Sequence, residues 1–328
     1  MPRPATAALV LALAATVTAC ASSNPAMPPP QPAPSARQSD FPQADGKSVN
    51  DLLQMADGQG PVLAPSVTAV KRGTNRFGFA LFDTARKQIT GAQVAVYTMH
   101  GDGTGLRGPY VARSESLKVR PQFESRTTAS DPDAAKAVYV ADVPFGRGRK
   151  QSVIGIVRLD GRLLMTNPAP MKVGRAAAGP PWPGQPAIRV HTETMADVGG
   201  DARAIDTRQP PAKDLLRTDL ADVLGKRPVV LTFATPQLCR SRVCGPVVDI
   251  VEQVRATAPK AVAFIHQEIY NDNEIRMGLR PQVVAWGLRS EPWTFVIDRH
   301  GRIADRFEGA FSAGELQRAV AGVDRPRT

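Results

Sequence analysis

The chain has 328 residues, which after removal of a leader suits two domains of ordinary size. Hydrophobic residues make up 42% of it, enough to build globular cores. Lysine plus arginine outnumber aspartate plus glutamate by 41 to 30, a formal net charge of +11, yet no interleaving of aromatic and basic residues marks a nucleic-acid surface, so that class of partner is set aside.

Residues 1–19 carry one early charge, Arg3, then an apolar run from Ala5 to Val17. That run falls short of the roughly 20 residues a membrane-spanning helix needs, and a charged start followed by a short apolar stretch describes a secretory signal. Its end, Val17-Thr18-Ala19-Cys20, resembles the bacterial lipobox. The resemblance implies that Cys20 is lipidated and that the chain is held outside the cytoplasm on a bacterial membrane. The alternative is an ordinary signal peptide or an uncleaved anchor. Residues 20–60 read as a tether, with Met27-Pro-Pro-Pro-Gln-Pro-Ala-Pro34 at the centre. Such a stretch lacks the apolar side chains that offset chain entropy and is semi-extended. In that compartment the basic surface faces anionic lipid or cell-wall polymer, and disulfides persist.

Residues 61–175 alternate with a period of two. Phe77, Phe79 and Leu81 share one face, and Gln93–Tyr97, Ala137–Val143, Val153–Leu159 and Leu163–Met165 follow the same rule. Asp160-Gly161 between two such runs predicts a tight hairpin. The expected fold is an all-β, immunoglobulin-like sandwich. It holds no cysteine, and its one histidine, His100, stands beside a Gly/Asp turn. A binding or spacing role is expected for this part.

Residues 176–213 form a Gly/Pro-rich linker, and residues 214–325 then alternate helix and strand. A helix is predicted over 214–224. Val229-Val-Leu-Thr-Phe233 is a strand buried on both faces, and Pro246–Ala256 is an amphipathic helix with proline in its first turn. Strand 261–266, a short helix 281–287 and a hairpin around Arg299-His-Gly301 come next. A last helix starts at Ser312, with Glu315 completing a capping box.

Between the first strand and its helix lies Thr235-Pro-Gln-Leu-Cys-Arg-Ser-Arg-Val-Cys-Gly-Pro-Val247, and much later comes Glu291-Pro-Trp-Thr-Phe-Val-Ile-Asp298. On these two motifs residues 226–322 resemble a thioredoxin-fold domain of the TlpA and redoxin group. The resemblance implies an α/β fold, a reactive cysteine pair (Cys239 and Cys244) and a cis-proline at Pro292 facing them. It also implies a protein disulfide or thiol as substrate and a membrane electron partner, with no cofactor. The chain departs from the Cys-Gly-Pro-Cys pattern, because Val247 occupies the fourth position. Which cysteine attacks therefore stays open.

Five residues apart on a regular helix, two Cα atoms lie roughly 8–9 Å apart, beyond the about 7 Å that a disulfide spans. Cys239 is therefore expected in a loop and Cys244 at the helix start. The helix terminus and Arg240 and Arg242 are expected to favour the thiolate. Three other readings remain: a non-catalytic binding lipoprotein with a structural disulfide, a thiol peroxidase acting through Cys239, and a copper metallochaperone. The last resembles the Sco group and would enlist His266 as a weak metal candidate. Glu268 and Asp272 read as a solvated edge, and Trp293 as packing.

Overall fold

The computed structural model describes Met1, residues 36–174 and residues 179–324. The leader, Cys20 and the proline-rich stretch through Pro34 lie outside the described residues. Among the described residues no helix is long and apolar enough to cross a membrane.

Ten strands form one curled sheet: β1 (Val62–Pro65), β2 (Ala69–Val70), β3 (Gly73–Phe82), β4 (Gln88–Ile89), β5 (Gln93–His100), β6 (Arg107–Ser116), β7 (Ala137–Phe145), β8 (Lys150–Leu159), β9 (Arg162–Met165) and β10 (Ala169–Val173). Their order is β1-β3-β7-β6-β5-β8-β10-β2, with β4 beside β3 and β9 beside β8. A sandwich of two separate sheets is not what forms. The first half of β6 pairs with β5 and its second half with β7, so one strand carries the sheet around the core. Phe77, Phe79 and Leu81 face that core together with Val94, Val96, Tyr139 and Phe145, as the alternation requires. Asp160 (φ 49°) and Gly161 (φ 79°) form the two-residue turn between β8 and β9. Left-handed φ at both positions is what a twisted hairpin demands.

The stretch expected as the end of a tether is folded. Helix α1 (Val49–Gln54), with Ser48 and Asp51 in a capping box, lays Leu52 on the outer face of the sheet. Phe41 and Ala44 join it over Tyr97, Met99, Ile154 and Ile156. These apolar sheet residues need a cover, and a few apolar residues in an otherwise polar segment supply it.

The second part is a four-stranded sheet, β12 (Ala263–Gln267), β11 (Val229–Phe233), β13 (Trp293–Ile297) and β14 (Ile303–Glu308), in that order. β11 and β12 are parallel, and β13 and β14 antiparallel. Val230, Phe264 and Val296 face α4 (Cys244–Arg255) and α6 (Ala313–Asp324). Leu231, Phe233, Ile265 and Phe295 face Trp286, after α5 (Pro281–Ala285). Burial on both faces is why β11 reads as a continuous apolar run. In α6, Glu315 N–H donates to Ser312 Oγ (3.2 Å) and Ser312 N–H donates to Glu315 Oε2 (3.1 Å), the reciprocal cap. The helix expected over 214–224 breaks into a 3-10 turn, Lys213–Leu215, and α3 (Leu220–Val223).

Residues 185–213 are not a free spacer. Pro186 bridges to Arg302, Ile188 and Val190 pack on the second core, and Asp206, Thr207 and Arg208 are buried. The curled sheet and the second part also meet directly. Val138 and Val140 of β7 lie in one core with Val247, Val251 and Phe311. Arg76 forks onto Glu315 (2.8 and 2.9 Å), Ser312 Oγ donates to Glu115 (2.7 Å), and Thr68 Oγ1 donates to Glu308 (2.7 Å).

Candidate active site

The buried strand β11 ends at Phe233, and the chain turns through Thr235-Pro236 into a short loop before α4. Cys239 lies in that loop, half-buried, and Cys244 is the first residue of α4 and fully buried. Arg242 has left-handed φ (57°) and swings the chain from one cysteine into the helix carrying the other. Both sulfurs are free thiols.

The backbone N–H of Cys244, one of the unsatisfied donors at the helix start, donates to Cys239 Sγ at 3.4 Å. Ser241 Oγ lies 3.2 Å from the same sulfur. The Cys239 thiol is pulled down to about 6, chiefly by a hydrogen bond from the Cys244 thiol. Burial opposes this, and Ser241 and the N–H groups of Cys244 and Val243 assist. The helix terminus contributes as expected through those N–H groups, whereas Arg240 and Arg242, expected to add to it, are not among the causes. Cys244 moves the other way. Burial raises it well above the ordinary thiol range, and the hydrogen bond it gives to Cys239 holds its proton further. A helix start thus favours a thiolate on the neighbouring loop sulfur rather than on the residue that opens the helix.

This split predicts a pH profile. Iodoacetamide alkylation of Cys239 should rise with pH to half its plateau near pH 6 and fall below it as the sulfur protonates. Cys244→Ala removes the thiol donor and should move the midpoint upward by about one pH unit, the worth of one hydrogen bond. Mass spectrometry of the alkylated peptide checks both.

Pro292 follows a cis peptide bond from Glu291 and precedes β13, whose Trp293 is paired with Phe233 at the end of β11. Strand pairing thereby brings it beside the chain leading to Cys239. Glu291 feels the Cys239 charge, and burial plus that charge raise its carboxyl. Trp293 is packing: it stacks on Phe295 at 5.6 Å, and its indole N–H donates to Ser290 Oγ at 3.0 Å.

His266 sits on β12, fully buried. Its Nε2 is 3.1 Å from the Ala234 carbonyl, and its Nδ1 lies 3.5 Å from Asp206 Oδ1. Both ring nitrogens point at protein groups other than the cysteines, so the imidazole is not joined to the sulfur pair. Burial works against charging His266, but Asp206 and Glu268 more than offset it and raise its pKa. Glu268 is buried rather than solvated, and burial raises its carboxyl. Its Oε1 accepts from Thr207 N–H (2.8 Å) and Thr207 Oγ1 (2.5 Å). Thr207 Oγ1 in turn accepts from Gln237 N–H (3.2 Å), two residues before Cys239. Asp206, His266 and Glu268 are the one group of three potential metal-ligating residues among the described residues, and neither cysteine belongs to it. Asp206 accepts from the N–H groups of Arg208 and Ala212, and Glu268 from Thr207 and the Ile269 N–H, which makes the cluster a buried brace for the cysteine turn.

The curled sheet also reaches this site, which no sequence pattern signals. Residues 117–136, between β6 and β7, lie along α4. Ser125 N–H and Oγ both donate to Asp249 of α4 (3.1 Å each), and Asp249 is paired with Arg208 at 2.8 Å. Ala135 N–H donates to the Arg242 carbonyl (3.0 Å), and Asp131 pairs with the Arg242 guanidinium. Thr128 of α2 (Arg126–Ala129) presses on Gly245, where a Cβ would fall 2.8 Å from Thr128 Oγ1. A cleft of about 670 Å³ remains between this segment and the turn carrying Cys239.

No family model matches the chain. No curated protein matches it. Among solved structures, a thiol:disulfide interchange protein of the thioredoxin family from Chlorobium tepidum TLS is similar at 17% identity, over 44% of this chain and 97% of that one, with a TM-score of 0.29. A score of that size assigns nothing by itself.

Proposed function

We propose that this chain is a thiol–disulfide oxidoreductase whose second part is a thioredoxin-type domain. Its nucleophile is Cys239 and its resolving residue Cys244. The observation that carries this is the pairing at the helix start: a half-buried sulfur stabilised as thiolate, receiving hydrogen bonds from the thiol and N–H of a buried partner. The strand order and the placement of Pro292 beside the turn support it.

The Cys239 thiolate attacks a substrate disulfide, forming a mixed disulfide and expelling one thiolate. Cys244 then gives its proton to the departing sulfur and attacks Cys239 Sγ. The second substrate sulfur leaves, so the substrate gains two electrons and the protein dithiol becomes a disulfide. The reverse sequence oxidises a substrate dithiol. Pro292 holds the substrate backbone beside the turn.

The place of action in this proposal is the outer side of a bacterial membrane, with a lipid on Cys20, a protein disulfide or thiol as substrate and a membrane electron partner. Its support is the leader sequence alone. The competing reading is a binding module with a static bridge. Equilibration against glutathione buffers separates them. The pair is expected to titrate between about −120 and −270 mV, the span of known oxidoreductases, whereas structural bridges lie below about −300 mV. A bridge that stays closed across that range would sink the proposal.

A further inference from the structure

Resting on the cysteine chemistry of that reading but replacing its protein substrate with a smaller one, we infer that the cleft beside Cys239 selects a small disulfide carrying carboxylates, and that Arg126 of α2 and Arg240 of the cysteine turn are its anion-binding residues. Three arginines line the cleft. Arg242 is neutralised by Asp131. Arg126 and Arg240 are exposed and have no side-chain hydrogen bond or salt bridge among the described residues, although Arg240 acts at longer range on the Glu291 carboxylate. They line the cleft from two separate segments, one from α2 and one from the residue after Cys239. An unpaired guanidinium offers a planar fork of donors that fits a carboxylate, and two of them beside a thiolate offset its repulsion of an anion.

Size points the same way. A cleft of about 670 Å³ is in the range of small-molecule sites, roughly 300–1,000 Å³. Thr128 seated on Gly245 and the Ala135–Arg242 hydrogen bond close one side of it, which favours a compact substrate over a broad protein surface. The reaction is the exchange described above, with the carboxylated disulfide as oxidant. It is reduced to two thiols as the Cys239–Cys244 bond forms.

Reduced protein can be mixed with three disulfides that differ in charge: dianionic 5,5′-dithiobis(2-nitrobenzoate), neutral 2,2′-dithiodipyridine and dicationic cystamine. Each probe is compared between wild type and the R126Q/R240Q double variant, with alkylation and mass spectrometry as readout. The double variant should react about tenfold more slowly with the anion, within about twofold with the neutral probe, and several-fold faster with the cation, and about 1 M salt should erase the difference. R299Q, which removes one charge from the turn between β13 and β14, should leave the anion rate within about twofold. An equal loss with all three probes, or no loss with the anion, overturns the cleft assignment and leaves the cysteine chemistry standing. Failure to react with any of the three overturns the proposed function itself. A readout without sulfur exchange uses C239S titrated calorimetrically with oxidised glutathione. Binding should weaken about tenfold on adding R126Q/R240Q, and equal affinity in both proteins overturns the inference.

Discussion

Cys239→Ser is expected to lower disulfide exchange by at least about a thousandfold, while Cys244→Ser leaves the first attack intact and halts the second. The asymmetry follows from the opposite treatment of the two sulfurs. Cys239 is reachable and held as thiolate, and Cys244 is buried and held as thiol. Attack requires a thiolate, so removing Cys239 leaves no nucleophile at neutral pH. Removing Cys244 leaves a nucleophile with no internal sulfur to displace the mixed disulfide. Mass spectrometry should therefore find C244S carrying one equivalent of substrate thiol, and C239S carrying none. Substrate trapped on Cys244 in C239S would reverse the assigned roles.

Asp249→Ala should destabilise the protein by about 3–5 kcal/mol, the usual consequence of stripping one partner from a buried ion pair. Asp249 is wholly buried and meets Arg208 at 2.8 Å on one oxygen and Ser125 on the other. Burial raises its carboxyl despite the arginine, so the pair is held at a cost and is sensitive to loss of either member. Arg208 also donates to the carbonyls of Phe123 (2.8 Å) and Pro210 (2.7 Å), so the uncompensated cation would disturb three segments together. Urea unfolding measures the loss. Hydrogen exchange should show residues 123–136 losing protection along with the start of α4. A change under about 1 kcal/mol would mean that the ion pair is not what fastens this segment.

Local rules read well where one element decides its own structure. The period of two placed β3, β5, β7, β8 and β9 but not β6 or the short edge strands, the Asp160-Gly161 turn needed only its own two residues, and Ser312 and Glu315 announced the start of α6. The break between Cys239 and Cys244 also followed from local chemistry, since Pro246 belongs in a first turn. What failed depended on contacts distant in sequence. Phe41 and Leu52 were lost in a polar stretch because their partners are on β5 and β8. The thiol shift expected from the helix terminus and two arginines comes instead from hydrogen bonds of the Cys244 thiol and Ser241, with the helix-start N–H groups assisting and neither arginine among the causes. Glu268, expected at a solvated edge, is buried. It directly follows the buried strand β12, two residues after His266, where a carboxylate has to find hydrogen-bond partners. Nothing in residues 117–136 betrays that they touch the cysteine turn, because no rule of spacing links them to α4.

Because Val138 and Val140 share a core with Val247 and Val251, the sheet and the sulfur-bearing helix cannot hinge apart without tearing apolar packing. The molecule carries its reactive pair at a fixed bearing, like a tool brazed to its handle. Any adjustment of angle during an encounter must come from the other molecule. Residues 214–325 expressed by themselves would expose an oily flank and should clump rather than work.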